Sequence, residues 1–299
     1  TIKNKNLDSK CPGIGQHPAF DPKQLPAWYH IIPTNDLHNL KLYWPLENLN
    51  KFWEKKPERY LSHLVGHEGD GSILAHLKSL GWALGLSAGS SYSIADFEMF
   101  SCTIALTEEG LDHIQDIIQV VYQYIAMLKK GGIQQWIWEE IRKINDMEFQ
   151  FLEKSSPSSY TRSLSSVMQL YPPQSIISGP YEFKEFDPAL IRHVLDKLVP
   201  ENMIVQVVSH KFDGTTDKVE EWFGVEYTQV QVDPTFINSL HGQETPSQLH
   251  LPEPNMYIPD DFSIKTQEKV PKFPEIIYTS PISCVWHKLD NMFLKPKSH

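Results

Sequence analysis

Two histidines, His63 and His67, stand four residues apart within the segment Tyr60–Ser72. On a helix, this spacing places both imidazoles on one face, one turn apart, which suits two ligands of a zinc ion. Zinc hydrolases with a His-x-x-Glu-His helix also need the glutamate before the second histidine, because it acts as general base for the zinc-bound water. Gly66 occupies that position here, and Glu68 lies about 100° further round the helix. The segment therefore predicts the spacing of a metal site without its catalytic base.

The composition limits the kinds of partner. The chain has 299 residues, of which 40 % are hydrophobic and 21 % charged, as in ordinary globular proteins. The net charge of −10 and the lack of a basic stripe argue against nucleic-acid binding. No apolar run reaches the length of a membrane span, so we expect no membrane partner. The three cysteines are far apart and form no Cys-x-x-Cys motif, which favours a reducing, cytoplasmic setting.

The hydrophobic pattern predicts an α+β fold, with a mainly antiparallel twisted sheet and helices packed on one face. Leu40, Leu42 and Trp44 alternate and predict a strand over residues 38–46. Pro57 is expected to begin a helix that continues to about His67. Further strands are predicted at residues 82–90, 96–106, 203–208 and 225–232. Further helices are predicted at residues 72–80, 107–131, 134–153, 160–170 and 188–198, with a Glu139–Lys143 pair on the third of them.

Proline density suggests three parts of the chain. Residues 1–27 have no periodic apolar pattern and are interpreted as a linker from a preceding domain. Residues 28–232 are predicted to form one α+β domain. Residues 233–299 are rich in proline and are predicted to be a linker and the start of a following domain, which either wraps the first domain or awaits other partners. The chain begins without methionine or a secretory leader, so we expect it to be part of a longer protein.

Several motifs together resemble the second, non-catalytic domain of the insulin-degrading enzyme, nardilysin and pitrilysin family of zinc metallopeptidases. The motifs are His63–Ser72, Leu77–Trp82, Leu106–Leu111, Pro200–Asn202, Glu221–Gly224, Tyr257–Phe262 and Trp286–Phe293. The resemblance implies the LuxS/MPP-like metallopeptidase fold. It also implies that zinc belongs to the full-length enzyme, on a preceding domain, and that this chain has no metal site and no catalytic residue. The implied partners are peptide substrates and the remaining domains of the same enzyme.

The same resemblance implies a peptide-binding exosite, a surface that anchors the substrate N-terminus away from the zinc. Its candidate residues here are His63, Gly66, Glu68, Leu86, Ser87, Ala88, Gly89 and Ser90. The small side chains of residues 85–89 fit an exposed strand edge that pairs with an extended peptide. They equally fit a strand closely covered by a helix. The family often has Gly-Gly where this chain has Ala88-Gly89, and the extra methyl group narrows such a groove.

Two of the candidate features have more than one interpretation. The histidine pair can be interpreted as a functional zinc site, as a packed structural pair, or as part of a peptide-binding surface. Glu68 is either a carboxylate partner for a peptide α-amino group or a helix-end acid hydrogen-bonded to the Gly69–Gly71 turn.

For the whole chain, the first hypothesis is a non-catalytic domain that helps enclose the substrate chamber of a peptidase. The alternative is a stand-alone peptide-binding or scaffold protein that inherited the fold.

Overall fold

The computed structural model describes residues 20–94, 97–263 and 271–289. Residues 1–19 of the predicted linker, and the end of the last motif from residue 290, lie outside the described residues. The α-helices are α1 (Pro57–Val65), α2 (Ile73–Ser79), α3 (Ile114–Gly131), α4 (Gln135–Gln150), α5 (Pro157–Val167), α6 (Pro188–Lys197) and α7 (Pro234–Ser239). The strands are β1 (Ala27–Ile31), β2 (Asn39–Glu47), β3 (Ala83–Ser93), β4 (Phe97–Leu106), β5 (Ile204–Val208), β6 (Lys218–Val219), β7 (Glu226–Val230), β8 (Glu275–Thr279) and β9 (Cys284–His287).

Seven strands form the main sheet in the order β3-β4-β2-β5-β1-β7-β6. Only the β1–β5 pair is parallel; the other pairs are antiparallel. Strand β5 follows 157 residues after the end of β2, yet it lies between β2 and β1. This arrangement confirms the predicted mainly antiparallel α+β fold and places β3 at one edge of the sheet.

One face of the sheet carries the helices and the main core. Leu40, Leu42 and Trp44 are fully buried, as the alternation in β2 predicts. The α3 stripe packs into the same core, with Ile118, Val121, Ile125 and Leu128 buried. Helix α6 begins as predicted, because the Asp187 carboxylate accepts a hydrogen bond from the Leu190 N–H at 2.9 Å. The opposite face holds only a small cluster, formed around Ala27, Tyr43, Met99 and Ile204.

The chain after Asp233 returns to the first domain for part of its length. Ile237, Leu240 and Leu249 are buried in the main core. The backbone N–H of His250 then donates to the backbone carbonyl of Gly71 at 3.0 Å. Strands β8 and β9 form a separate hairpin that the sequence pattern did not predict. No helix within the described ranges is long and apolar enough to cross a membrane.

One predicted surface pair is wrong. Glu139 accepts a hydrogen bond from Gln135 at 2.8 Å instead of pairing with Lys143. The Lys143 ammonium reaches Asp260 at 3.2 Å. Exposed ion pairs contribute little free energy, so a tertiary partner readily replaces a partner one turn away.

Candidate functional site

The histidine segment is only partly helical. Helix α1 ends at Val65, and Gly66 is its C-cap, so His63 lies in the last turn and His67 lies beyond it. The predicted continuation to His67 is therefore wrong. Gly66 and the following Gly69–Gly71 turn end the helix, and Ser72 then caps α2 by accepting from the Ala75 N–H at 3.1 Å. The imidazoles consequently do not sit one turn apart on one helix face.

The two imidazole rings nevertheless remain neighbours. Their centroids are 6.0 Å apart and their planes are inclined by 67°. Nδ1 of His67 accepts the Gly69 N–H at 3.0 Å, which engages one of its ring nitrogens. Nε2 of His63 lies 3.8 Å from Oε1 of Glu140 on α4. Burial lowers the pKa of His63; the nearby Glu140 carboxylate opposes this effect and His67 adds to it. The net lowering favours the neutral imidazole.

The residues present do not fit a zinc ion. Across the described ranges, no group of three or more His, Cys, Asp or Glu side chains is arranged to hold a metal. Catalytic zinc sites need three protein ligands and an open position for water. The His63–His67 pair offers two imidazoles, one of which already accepts a backbone hydrogen bond, and Gly66 supplies no base. The pair is better suited to hydrogen bonding than to holding a metal ion.

Gly66 brings the end of α1 against the edge strand. A Cβ built at Gly66 would lie 3.4 Å from the backbone nitrogen of Ala88 and 2.7 Å from the carbonyl oxygen of Ser62. Any side chain at position 66 would therefore clash with its own helix and crowd the strand. Glycine keeps the space over the Ala88 backbone open.

Both predicted arrangements, a strand covered by a helix and a strand with an open edge, are present in β3. Helix α1 packs on one face of β3, where Leu86 is buried and Ala88 is half-buried. The long edge of β3 opposite β4 has no paired strand in the part of the chain that the structure describes. The strand is thus covered on one face and open along one edge. A peptide could add to that edge through backbone hydrogen bonds.

One side-chain contact shows which backbone groups point to the open edge. Gly89 lies opposite Ser101, and its carbonyl oxygen accepts the Ser101 hydroxyl at 3.2 Å, so this carbonyl points toward β4. Backbone groups of successive residues in a strand point to opposite sides. Ser87 therefore also faces β4, whereas Leu86, Ala88 and Ser90 direct their N–H and C=O groups outward.

Glu68 follows the histidine pair in an exposed turn. Its carboxylate has no hydrogen-bond or ion-pair partner among residues 20–94, 97–263 and 271–289, so the alternative in which it is hydrogen-bonded to the Gly69–Gly71 turn is not seen there. The neighbouring Asp70 lies 3.4 Å from the His250 ring nitrogen. A free carboxylate two residues after Gly66 can receive a cationic group.

The sequence interpretation missed a group of charged residues beside β3. Lys56 and Glu98 are buried, with 5 % and 3 % of their surface exposed, and Glu58 on α1 lines the same cleft. One signal was available in the sequence. Glu98 has the same strand parity as Phe100, Cys102 and Ile104, which face the core, and a charged residue in such a series is unusual.

Comparison with solved structures identifies the fold. The crystal structure of pitrilysin superposes with a TM-score of 0.83 over 94 % of this chain and 30 % of that one, at 21 % identity. This likeness shows that the chain has the α+β fold seen in pitrilysin. Residues 1–145 match the model described as the peptidase M16 inactive domain, and residues 149–299 match the middle or third domain of peptidase M16. The chain belongs to the M16 peptidase family.

Curated relatives agree with this assignment. The chain is 38 % identical to insulin-degrading enzyme of Drosophila melanogaster over 298 residues, 99 % of this chain and 30 % of that protein. It is 37 % identical to the Homo sapiens insulin-degrading enzyme, with 99 % and 29 % covered. Human nardilysin is 36 % identical, with 93 % and 25 % covered. The chain therefore spans under a third of the length of these relatives, and it is a non-catalytic portion of an insulin-degrading-enzyme-like M16 metallopeptidase.

The two family matches meet inside helix α4. Strands β5 and β7 lie in the second matched segment, yet both belong to the main sheet. The two segments thus share one sheet and one core. The domain limits proposed from proline density remain a prediction.

Proposed function

We propose that this chain anchors the N-terminal segment of a peptide substrate and forms part of the wall of a substrate chamber. The zinc, its ligands and the general base would lie on another domain, as the family resemblance implies. The single observation that carries the proposal is the open outer edge of β3 beneath Gly66. At this edge Leu86, Ala88 and Ser90 turn their backbone groups outward.

The surroundings of the edge support binding of a peptide with a free α-amino group. Glu68 supplies an exposed carboxylate, and burial lowers the pKa of His63. A peptide ammonium can pair with Glu68, and the lowered pKa of His63 reduces repulsion from that ring. The exposed side chain of Ser87 adds little bulk on the face that α1 does not cover. Main-chain pairing supplies affinity here, and the carboxylate selects the peptide terminus.

Titration of the protein with an extended peptide tests this proposal. We expect the amide resonances of Leu86–Ser90 and His63–Glu68 to shift in NMR spectra when the peptide is added. Acetylation of the peptide N-terminus should weaken binding about threefold to tenfold, since a hydrogen bond to a charged group contributes more than a neutral one. The matched control is Glu68→Gln, which should bind free and acetylated peptides equally. Resonance shifts confined to β8 and β9 would contradict an anchoring role for β3.

A further inference from the structure

A cleft of about 370 Å³ opens beside the second half of β3. Gly89, Ser90 and Ser93 of β3 form one wall, and Glu58 and Ser62 of α1 form another. The remaining wall is aromatic and is formed by Phe52, Trp53 and Tyr171. The volume lies within the range of sites that hold small ligands or single side chains. The cleft is therefore continuous with the edge to which we assign peptide pairing.

Glu98 places a buried carboxylate at the base of this cleft. Only 3 % of its surface is exposed. One oxygen accepts a single long hydrogen bond, from the Leu49 N–H at 3.4 Å. The other oxygen has no hydrogen-bond partner among the described residues. A buried carboxyl group is unfavourable unless hydrogen bonds compensate it, and Glu98 therefore has unused hydrogen-bonding capacity.

Glu58 adds a second carboxyl group to the same cleft. Glu58 is partly exposed, and its side chain lines the cleft. No side chain or backbone group of another described residue donates a hydrogen bond to it. Burial raises the pKa of Glu58 to about 7; its own backbone amide opposes the rise and the Glu98 carboxylate adds to it. A cation that contacts both carboxylates would relieve their mutual repulsion.

The cations of the chain itself do not satisfy these carboxylates. Nζ of Lys56 donates to the carbonyl oxygens of Trp53, Gly179 and Glu182 at 2.6, 2.7 and 2.7 Å, so its three hydrogens are used. Its charge still lowers the pKa of Glu58, though less than Arg59 does. Arg59 is exposed at the rim and forms no ion pair within the described ranges. The cleft thus lacks a hydrogen-bond donor that reaches both carboxylates.

We propose that this cleft receives the basic side chain, arginine or lysine, of a peptide paired with β3. The inference rests on the proposed function, because the peptide backbone must first add to the strand edge. A guanidinium or ammonium group would donate to Glu58 and Glu98 and lie against the rings of Phe52 and Tyr171. The cleft would then select peptides with a basic residue at one fixed distance from the N-terminus.

The test compares arginine with citrulline, which has nearly the same shape and no charge. Each residue is placed in turn at successive positions of one neutral peptide with a free N-terminus, and affinities are measured at pH 8 with the complete protein. We expect one position at which arginine binds about tenfold more tightly than citrulline, a ratio that corresponds to about 1.4 kcal/mol. Glu58→Gln should abolish that difference. Glu148→Gln, on an exposed face of α4, should preserve it.

The outcomes separate this inference from the proposed function. If citrulline peptides bind at β3 but arginine is favoured at no position, the basic subsite is overturned and strand pairing stands. If no peptide of either kind shifts the β3 resonances, the proposed function itself is overturned. Glu98→Gln serves as a second variant and should also reduce the arginine preference. An arginine preference that survives in both folded variants would place the recognition elsewhere.

Discussion

Gly66 lies over Ala88: a Cβ built at position 66 would reach 3.4 Å from the Ala88 nitrogen and only 2.7 Å from the Ser62 carbonyl oxygen. A side chain at position 66 would therefore clash with α1 itself and would come into contact with β3, and the Ala88 N–H points to the open edge of the sheet. The same residue therefore ends the helix and keeps the proposed peptide groove accessible. This contact connects the histidine segment to the edge strand.

Gly66→Ala should impair both stability and peptide binding. The added Cβ would lie 2.7 Å from the Ser62 carbonyl oxygen, so α1 must shift or distort. We expect a loss of about 1 to 3 kcal/mol in the free energy of unfolding, measured by denaturant titration. Gly131→Ala is the control, because a Cβ there meets nothing within 4 Å. Equal stabilities for the Gly66→Ala variant and the original protein would contradict the close approach.

Proline at adjacent positions of β3 should distinguish the two edges of the strand. Ser87→Pro removes an N–H that points toward β4 and leaves its partner unpaired, so it should cost about 1 to 3 kcal/mol of stability. Ala88→Pro removes an N–H that points outward, so it breaks no hydrogen bond to β4. Because Ala88→Pro deletes a donor to the peptide, affinity should fall about threefold to tenfold. Full peptide binding by a folded Ala88→Pro variant would argue against strand addition.

The pH dependence of stability should report the burial of His63. Its pKa is lowered below the ordinary value of 6.5, so the unfolded chain binds a proton more readily than the native protein does. The resulting loss of stability is absent well above pH 6.5 and grows as the pH falls below it. Relative to His63→Gln, the original protein should therefore lose stability between pH 7 and pH 5. The loss is at most about 1.4 kcal/mol for each tenfold change in the acid dissociation constant of His63 on folding. If the original protein and His63→Gln differ by the same free energy of unfolding at every pH, this effect is excluded.

Glu58 should show the opposite dependence. Its pKa is raised from 4.5 to about 7, so the native state holds a proton that the unfolded state releases. The carboxyl group consequently destabilises the native state most above pH 7, and the penalty disappears as the pH falls toward 4.5. Glu58→Gln should be more stable than the original protein at pH 8 by about 1 to 3 kcal/mol, with little difference at pH 4.5. Thermal unfolding at both pH values measures this change.

The chain by itself should bind no stoichiometric zinc and should cleave no peptide. The reasons are Gly66 in place of the general base and the lack, among the residues that the structure describes, of a third ligand beside the two histidines. Metal analysis after dialysis and a quenched-fluorescence peptide assay check both statements. One tightly held zinc per chain, or hydrolysis that His63→Ala abolishes, would overturn this prediction.

Local patterns in the sequence determined most elements of the domain. The alternation of Leu40, Leu42 and Trp44, the apolar stripe of α3 and the Asp187 cap are all present in the structure, because each depends on residues only a few positions apart. The family resemblance likewise rested on short motifs and predicted the fold class correctly. It also indicated which segments could bind a peptide, although their role remains a proposal.

Tertiary structure alone decided how these elements meet. The edge position of β3 follows from strand order, since β5 inserts between β2 and β1 from far along the chain, and periodicity carries no information about such pairing. The packing of the Gly66 C-cap of α1 against Ala88 of β3 likewise joins residues far apart in the sequence. The cleft of Glu58 and Glu98 unites residues forty positions apart, whose burial and raised pKa arise only when helix and strand enclose them together.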